Sequence, residues 1–414
     1  MQNEHESQNE LSRRGFLKGA LLGGAALTLS PTMATAQQML TGSTSVRDIR
    51  SIGLAPGRVD LSLNENPNGP SIRAIQAAAD NLTGVNRYTR DSRDLEYSVV
   101  EALADYDGVT LNKVEPASSR SPILSPYILT YMGSSQFLKI LPIAYLSREG
   151  GDVVDVLGGY TSIQRTALAV KEEFGVPIDV TSVPLTSDYR HDLPAMLKAV
   201  TPKTRMVVIT NPNNPTGTLL SYEEIEAFVK AVPKDVIVVI DEAYIHFGRD
   251  VDYQRAVPLA IAHDNVIVVR TFSKGYGLAG IRMGYSVCSQ AIQDKLRFYM
   301  SAGFPPVLPL SAALESVKDL NHLNRSREMV WAFHDRCYEV FDRMGVEYLP
   351  GQGNFFMVNV GRDGDEFVRE MFKERVKVAA RNRDTQPTWI RVSAGTAPET
   401  EVFLNVFQKL MIKS

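Results

Sequence analysis

Cysteine, tryptophan and histidine are scarce in this chain of 414 residues, at two, two and six copies. The cysteines, Cys288 and Cys337, lie far apart and read as separate buried thiols, not as a disulfide framework. Scattered histidines without paired spacing offer no metal site. Neither sign of charge dominates: 44 basic against 47 acidic residues leave −3, so the sequence carries no basic footprint for nucleic acid or an anionic membrane. Crossing ~30 Å of hydrocarbon takes about 20 apolar residues in a helix, and the apolar run Ala20 to Leu29 is too short for a stable anchor. Long-period repeats and low-complexity tracts are missing. What remains is ordinary globular composition, 44% hydrophobic and 22% charged, in a chain long enough for two domains.

The first 36 residues stand apart. "SRRGFLKG" (Ser12 to Gly19) precedes the Ala20 to Leu29 run, and "ATA" (Ala34 to Ala36) follows. Charge, short apolar run and small-residue cleavage site come in the order of an export signal. Arg13 and Arg14, followed by Phe16, Leu17 and Lys18, resemble the twin-arginine signal, which is read by machinery that exports folded proteins. The expectation is cleavage after Ala36 and a periplasmic mature protein without a stable membrane anchor.

From Val153 onward, short apolar β-branched runs alternate with amphipathic segments. "VVDVL" (153–157), "RMVVIT" (205–210), "DVIVVIDEA" (235–243) and "NVIVVR" (265–270) read as strands. "SYEEIEAFVKAV" (221–232) reads as a helix, with Ser221 as N-cap and Glu224 three residues on. Continuous apolar strands between helices predict a doubly wound, mostly parallel sheet covered on both faces. Beyond the Pro-rich "GFPPVLP" the pattern changes to a long helical stretch, roughly Pro309 to Met344, then strands at 354–360 and 388–394 with helices after each. The expected organisation is a signal (1–36), an N-terminal segment (37–75), a large α/β domain (76–305) and a smaller α+β domain (306–414) completed by the N-terminal segment.

In such sheets ligands sit at the carboxyl ends of strands. Four predicted strand ends carry polar groups: "GSSQ" (Gly133, Ser134, Ser135, Gln136), "NPNNPTG" (211–217), "DEAY" (241–244) and "TFSKGYG" (271–277). Taken singly, each has an ordinary reading as a turn, a cap or a solvated amine. Together they suit one cofactor. A lysine beside a sheet forms a Schiff base with an aldehyde, and a nearby cation keeps its amine neutral. Pyridoxal phosphate then needs a carboxylate for its ring nitrogen, donors for its phenolic oxygen, and helix-start N–H groups, hydroxyls and a guanidinium for its phosphate. Lys274, Asp241, Tyr244 with Asn214, and Gly133–Ser135 with Thr271, Ser273 and Arg282 match these in turn.

On these motifs the chain resembles the fold type I, class I/II pyridoxal-phosphate aminotransferases, histidinol-phosphate aminotransferases in particular, over roughly residues 58–412. The resemblance implies Lys274 as the cofactor's covalent partner and Tyr160 in "LGGYTSI" as the ring that stacks on it. It also implies that Tyr88 in "NRYT" reaches the phosphate across a homodimer interface, and that Arg391 in "IRVSAG" binds the substrate's anionic group. Asn64, in "LSLNENP", falls in the family's substrate segment. Arg381 and Arg391 are both candidate anchors, with a surface ion pair the alternative for Arg381. Segment 111–127, rich in Pro and Ser, is longer than relatives carry, and "GGY" replaces their usual Pro-Thr-Tyr turn.

The activity implied is transamination between an amino donor and a 2-oxo acid. A lyase, decarboxylase or oxygen-dependent oxidase would use the same core residues, so those readings stay open. A DNA-binding regulator on this scaffold would need an added helix-turn-helix domain, for which the stretch after the signal leaves no room.

Overall fold

The computed structural model of the protein describes residues 57–87, 91–111, 127–249, 255–300, 306–380 and 384–412. The export signal, Tyr88, Arg381 and most of the 111–127 segment lie outside the described residues.

Strands are numbered in chain order. β1 (Val59–Asp60) precedes β2 (Ile128–Tyr131), β3 (Asp152–Val156), β4 (Val180–Val183), β5 (Thr204–Thr210), β6 (Ile237–Asp241), β7 (Val266–Thr271) and β8 (Gly284–Cys288). Strands β2 to β8 form one seven-stranded sheet in the order β2-β8-β7-β6-β5-β3-β4. All its strands run parallel except β8, which is antiparallel to both β2 and β7. The sheet is apolar on both faces because helices cover both. Val207, Ile209, Val238, Ile240, Val266 and Val268 face one layer. Val153, Met206, Val208, Val239, Ile267 and Val269 face the other. That is why these strands read as unbroken hydrophobic runs.

A smaller antiparallel sheet follows, from β9 (Tyr348–Leu349), β10 (Phe355–Asn359), β12 (Ala379–Ala380) and β13 (Trp389–Ser393), ordered β12-β13-β10-β9. β1 pairs in parallel with β11 (Val376–Lys377), so the N-terminal segment joins the C-terminal part of the chain, as expected. The helix Tyr222–Ala231 carries the full capping box of Ser221 and Glu224.

The stretch 309–344 is two helices, Val307–Lys318 and Leu320–Met344, broken at Asp319. Asp319 leaves helical geometry (φ −94°, ψ 67°), and its carboxylate accepts from the His322 N–H, capping the second helix. It also accepts from the Ser71 hydroxyl at 2.6 Å, an anchor 248 residues away in sequence that local periodicity does not reveal. Cys288 and Cys337 are buried free thiols.

Candidate active site

The sheet explains why the motifs meet. β2, β3, β5, β6 and β7 run the same way, so their carboxyl ends share one edge. β8 runs back, so its first residue reaches that edge too: Gly284 pairs with both Thr271 and Tyr131. Arg282, two residues before Gly284, is thereby delivered beside Gly133 and Thr271.

The first group to form is an anion cradle. Gly133 precedes the helix Ser134–Leu146 with φ 86° and ψ 141°, a conformation suited to glycine. A Cβ at this position would lie 2.4 Å from Nη2 of Arg282, so the missing side chain is what lets the guanidinium approach the helix start. Nη1 of Arg282 donates to the Ala279 carbonyl at 2.7 Å and to the Ser273 hydroxyl at 3.5 Å. Thr271 donates its hydroxyl proton to Ser273 Oγ at 3.0 Å and accepts from the Ser273 N–H at 3.1 Å. Helix-start amides at Ser134 and Ser135, two hydroxyls and a guanidinium make a phosphate-type site.

Asp241, the last residue of β6, is buried, and its Oδ1 accepts from the Ala243 N–H at 3.1 Å. Burial, assisted by neighbouring Glu242, pushes its carboxyl up to about 7. The two adjacent acids differ sharply. Glu242 is neutralised by Arg270, which donates Nε at 2.7 Å and lies 2.6 Å away through Nη2. Asp241 has no ion pair among the described residues. A buried carboxylate without a cation fits a protonated ring nitrogen.

Lys274 is half-buried. Its Nζ donates to the Leu63 carbonyl at 3.0 Å and lies 5.8 Å from the Tyr244 ring centroid. Burial first, then the Arg391 and Arg282 charges, lower its amine to about 8 against the opposing pull of Glu65. Near neutral pH a useful fraction of a nucleophilic neutral amine is therefore present.

The phenol of Tyr244 accepts from Asn64 Nδ2 at 3.1 Å and from Asn214 Nδ2 at 3.2 Å. Arg391, on β13, is buried, and its Nη1 donates to Asn214 Oδ1 at 2.8 Å while Nη2 donates to the Ser62 carbonyl. Ile390 and Val392 alternate with it on the strand, which leaves Arg391 directed at the site. Tyr160 sits just beyond β3, 38% exposed, at the same edge. The structure thus brings together Gly133, Ser134, Ser135, Tyr160, Asn214, Asp241, Tyr244, Thr271, Ser273, Lys274, Arg282, Arg391 and Asn64.

Sequence reasoning missed the strap Leu61–Asn66 as a connected device. Asn354 donates Nδ2 to the Asn64 and Glu65 carbonyls, both at 3.0 Å, and Asn66 donates to the Gly275 carbonyl at 2.9 Å. Ser393 also grips Asn64. No local pattern signals these contacts.

Fold and site together define an enzyme class: a lysine at the carboxyl edge of a mostly parallel α/β sheet, flanked by a buried carboxylate with no ion pair among the described residues and by an anion cradle, fits a phosphorylated aldehyde cofactor. Residues 56–407 match the family described as "Aminotransferase class I and II". The chain is 33% identical over 363 residues, 87% of its length and 93% of the relative's, to the histidinol-phosphate aminotransferase of Akkermansia muciniphila. It is 33% identical over 318 residues, 77% of its length and 84% of the relative's, to the aromatic amino acid aminotransferase of Cutibacterium acnes. Among solved structures, the histidinol-phosphate aminotransferase of Sinorhizobium meliloti, in complex with pyridoxal-5'-phosphate, shares the fold with a TM-score of 0.74 at 23% identity, covering 94% of this chain and 99% of that one. The chain belongs to the class I and II aminotransferase family, and it is a pyridoxal-phosphate-dependent transaminase.

Proposed function

We propose that this transaminase takes an α-amino acid as donor, grips its carboxylate on Arg391 and delivers the amino group to a 2-oxo acid. The observation that supports this reading is that Arg391, Asn214, Tyr244 and Asn64 form one connected hydrogen-bond set beside Lys274. A guanidinium matches a carboxylate bidentately, which a lysine cannot. Asp241 would hold the ring nitrogen of the cofactor, the Gly133–Ser135 cradle with Thr271, Ser273 and Arg282 its phosphate, and Tyr160 one ring face. Bound there, pyridoxal phosphate supplies an aldehyde for the amino group and an electron-withdrawing ring that makes the substrate's Cα proton acidic.

The chain's own residues do the rest. The Arg391 anchor orients Cα towards Lys274. Lys274, with its amine lowered to about 8, takes the Cα proton as a general base and returns one as a general acid. Tyr244 offers its phenol proton to the cofactor's phenolic oxygen.

Loading the purified protein with pyridoxal phosphate and adding donors one at a time tests the reading. An α-amino acid should bleach the cofactor's visible absorption and release its 2-oxo acid in one equivalent, while the same amine without the carboxylate should not. Continuous release of a 2-oxo acid without an acceptor would instead indicate an eliminating lyase or an oxidase, and release of carbon dioxide with the amine a decarboxylase.

Three readings accompany this one: export through the twin-arginine route, a homodimer that shares Tyr88 between sites, and a division near residue 305 between the sheet domain and the C-terminal domain. The Arg13–Arg14 pair supports the first, and replacing both by lysine should leave the precursor in the cytoplasm. Mixing inactive Lys274→Ala and Tyr88→Phe chains should regenerate activity if sites are shared.

A further inference from the structure

We infer that Asn64 is a positioning residue for Tyr244: its amide fills one lone pair of the phenol oxygen and, with Asn214, leaves the phenol proton only one direction to point, out towards the cofactor. This rests on the cofactor reading above but concerns a residue that the strap, not the sheet, supplies.

The amide orientations follow from their partners. Arg391 can only donate, so the Asn214 atom it meets at 2.8 Å must be the carbonyl oxygen, and the Asn214 NH2 is left for Tyr244. Ser393 Oγ accepts the backbone N–H of Asn64 at 2.9 Å and spends its own proton on Asn64 Oδ1 at 2.8 Å. That turns the Asn64 NH2 towards Tyr244, at 3.1 Å. A phenol oxygen has two lone pairs and one proton. With both lone pairs occupied by N–H groups, only the O–H remains to be given.

The backbone agrees. Asn64 has φ 53°, a left-handed conformation that asparagine tolerates better than most residues. Asn354 holds the carbonyls of Asn64 and Glu65. The backbone N–H, the backbone carbonyl, Oδ1 and Nδ2 of Asn64 thus each have a partner within the protein.

Two amide donors also stabilise the phenolate form, so Tyr244 becomes a better proton donor. Around Tyr244, burial and the charges of Asp241 and Tyr160 push its acidity the other way, whereas Arg391 and the Asn64 hydrogen bond favour ionisation, and Lys274 lies over the ring. Burial dominates, so the phenol stays protonated and available.

The test is a pH titration of the visible absorption of cofactor-loaded protein without substrate. Asn64→Asp keeps the side-chain shape and the left-handed preference but removes the donor. Asn64→Gly keeps the backbone and deletes the amide. Losing one of two donors should weaken Tyr244 and move the titration midpoint up by about half a pH unit, on the scale of one neutral hydrogen bond. Asn64→Asp should move it at least as far, because an acceptor replaces the donor. Midpoints of both folded variants within 0.1 unit of the parent, judged against the roughly 0.5-unit expectation, would overturn the inference. Parent protein that shows no visible absorption on loading would instead overturn the cofactor reading, which keeps the two failures distinct.

Discussion

Gly133→Ala tests the anion cradle where sequence and structure meet most tightly. The backbone there has φ 86° and ψ 141°, territory that costs a residue with a Cβ ~1–3 kcal/mol. The new methyl would also sit 2.4 Å from Nη2 and 2.9 Å from Cζ of Arg282. Both are atoms at the far end of a flexible side chain, so the arginine moves aside and the fold survives, with a Tm lowered by roughly a few degrees. The larger effect falls on ligand binding. A displaced guanidinium forfeits a charge-assisted hydrogen bond to phosphate of ~1.5–3 kcal/mol, a rise in cofactor Kd of roughly 10- to 150-fold. Fluorescence titration of cofactor-free protein with pyridoxal phosphate measures it. Because the effect runs through Arg282, the double variant with Arg282→Ala should bind no more weakly than Arg282→Ala alone. Additive losses, or an unchanged Kd in Gly133→Ala, would refute the reasoning.

Three further outcomes are expected. Asp241→Ala should leave the cofactor's ring nitrogen unpaired and cost on the order of 10³-fold in turnover of loaded, folded protein; near-normal turnover contradicts the assignment. Arg391→Lys should lose ~2–4 kcal/mol in kcat/KM towards amino acids while the visible spectrum of the loaded protein persists, and wild-type kcat/KM for every donor would remove Arg391 as the anchor. Asp155, buried in β3 with Oδ1 accepting the Val156 N–H at 2.7 Å, is pushed up to about 8 by burial. An unfolded aspartate titrates near ~3.9, so between about pH 4 and about 8 the folded state holds a proton that the unfolded state has lost, and stability falls as pH rises through that window. The Tm advantage of Asp155→Asn should therefore be small near pH 4 and grow towards pH 8, with Asp241 common to both proteins; an advantage flat in pH would mean the carboxyl is not its source.

By itself the sequence determined the central parallel strands and their common polar edge. Unbroken runs such as Val266–Thr271 are legible because a strand buried on both faces must be apolar throughout. The residues at or just past their ends, Asp241, Lys274 and Asn214, are legible because parallel strands deliver their ends to one place. The Ser221 and Glu224 capping box was equally local. Tertiary structure alone decided the contacts that tune this edge. Ser393 reaches Asn64 across 329 residues and Asn354 reaches it across 290, and neither pairing leaves a periodic trace in the chain. At the helix break Asp319 takes a hydrogen bond from Ser71, far off in sequence, and the partner of Lys274 is a backbone carbonyl, which every residue possesses. The family resemblance placed Asn64 in a substrate segment, which says nothing of the partners that hold it. Its orientation is set by partners the chain brings from its far end, so its attachment to Tyr244 became visible only once those partners were in place.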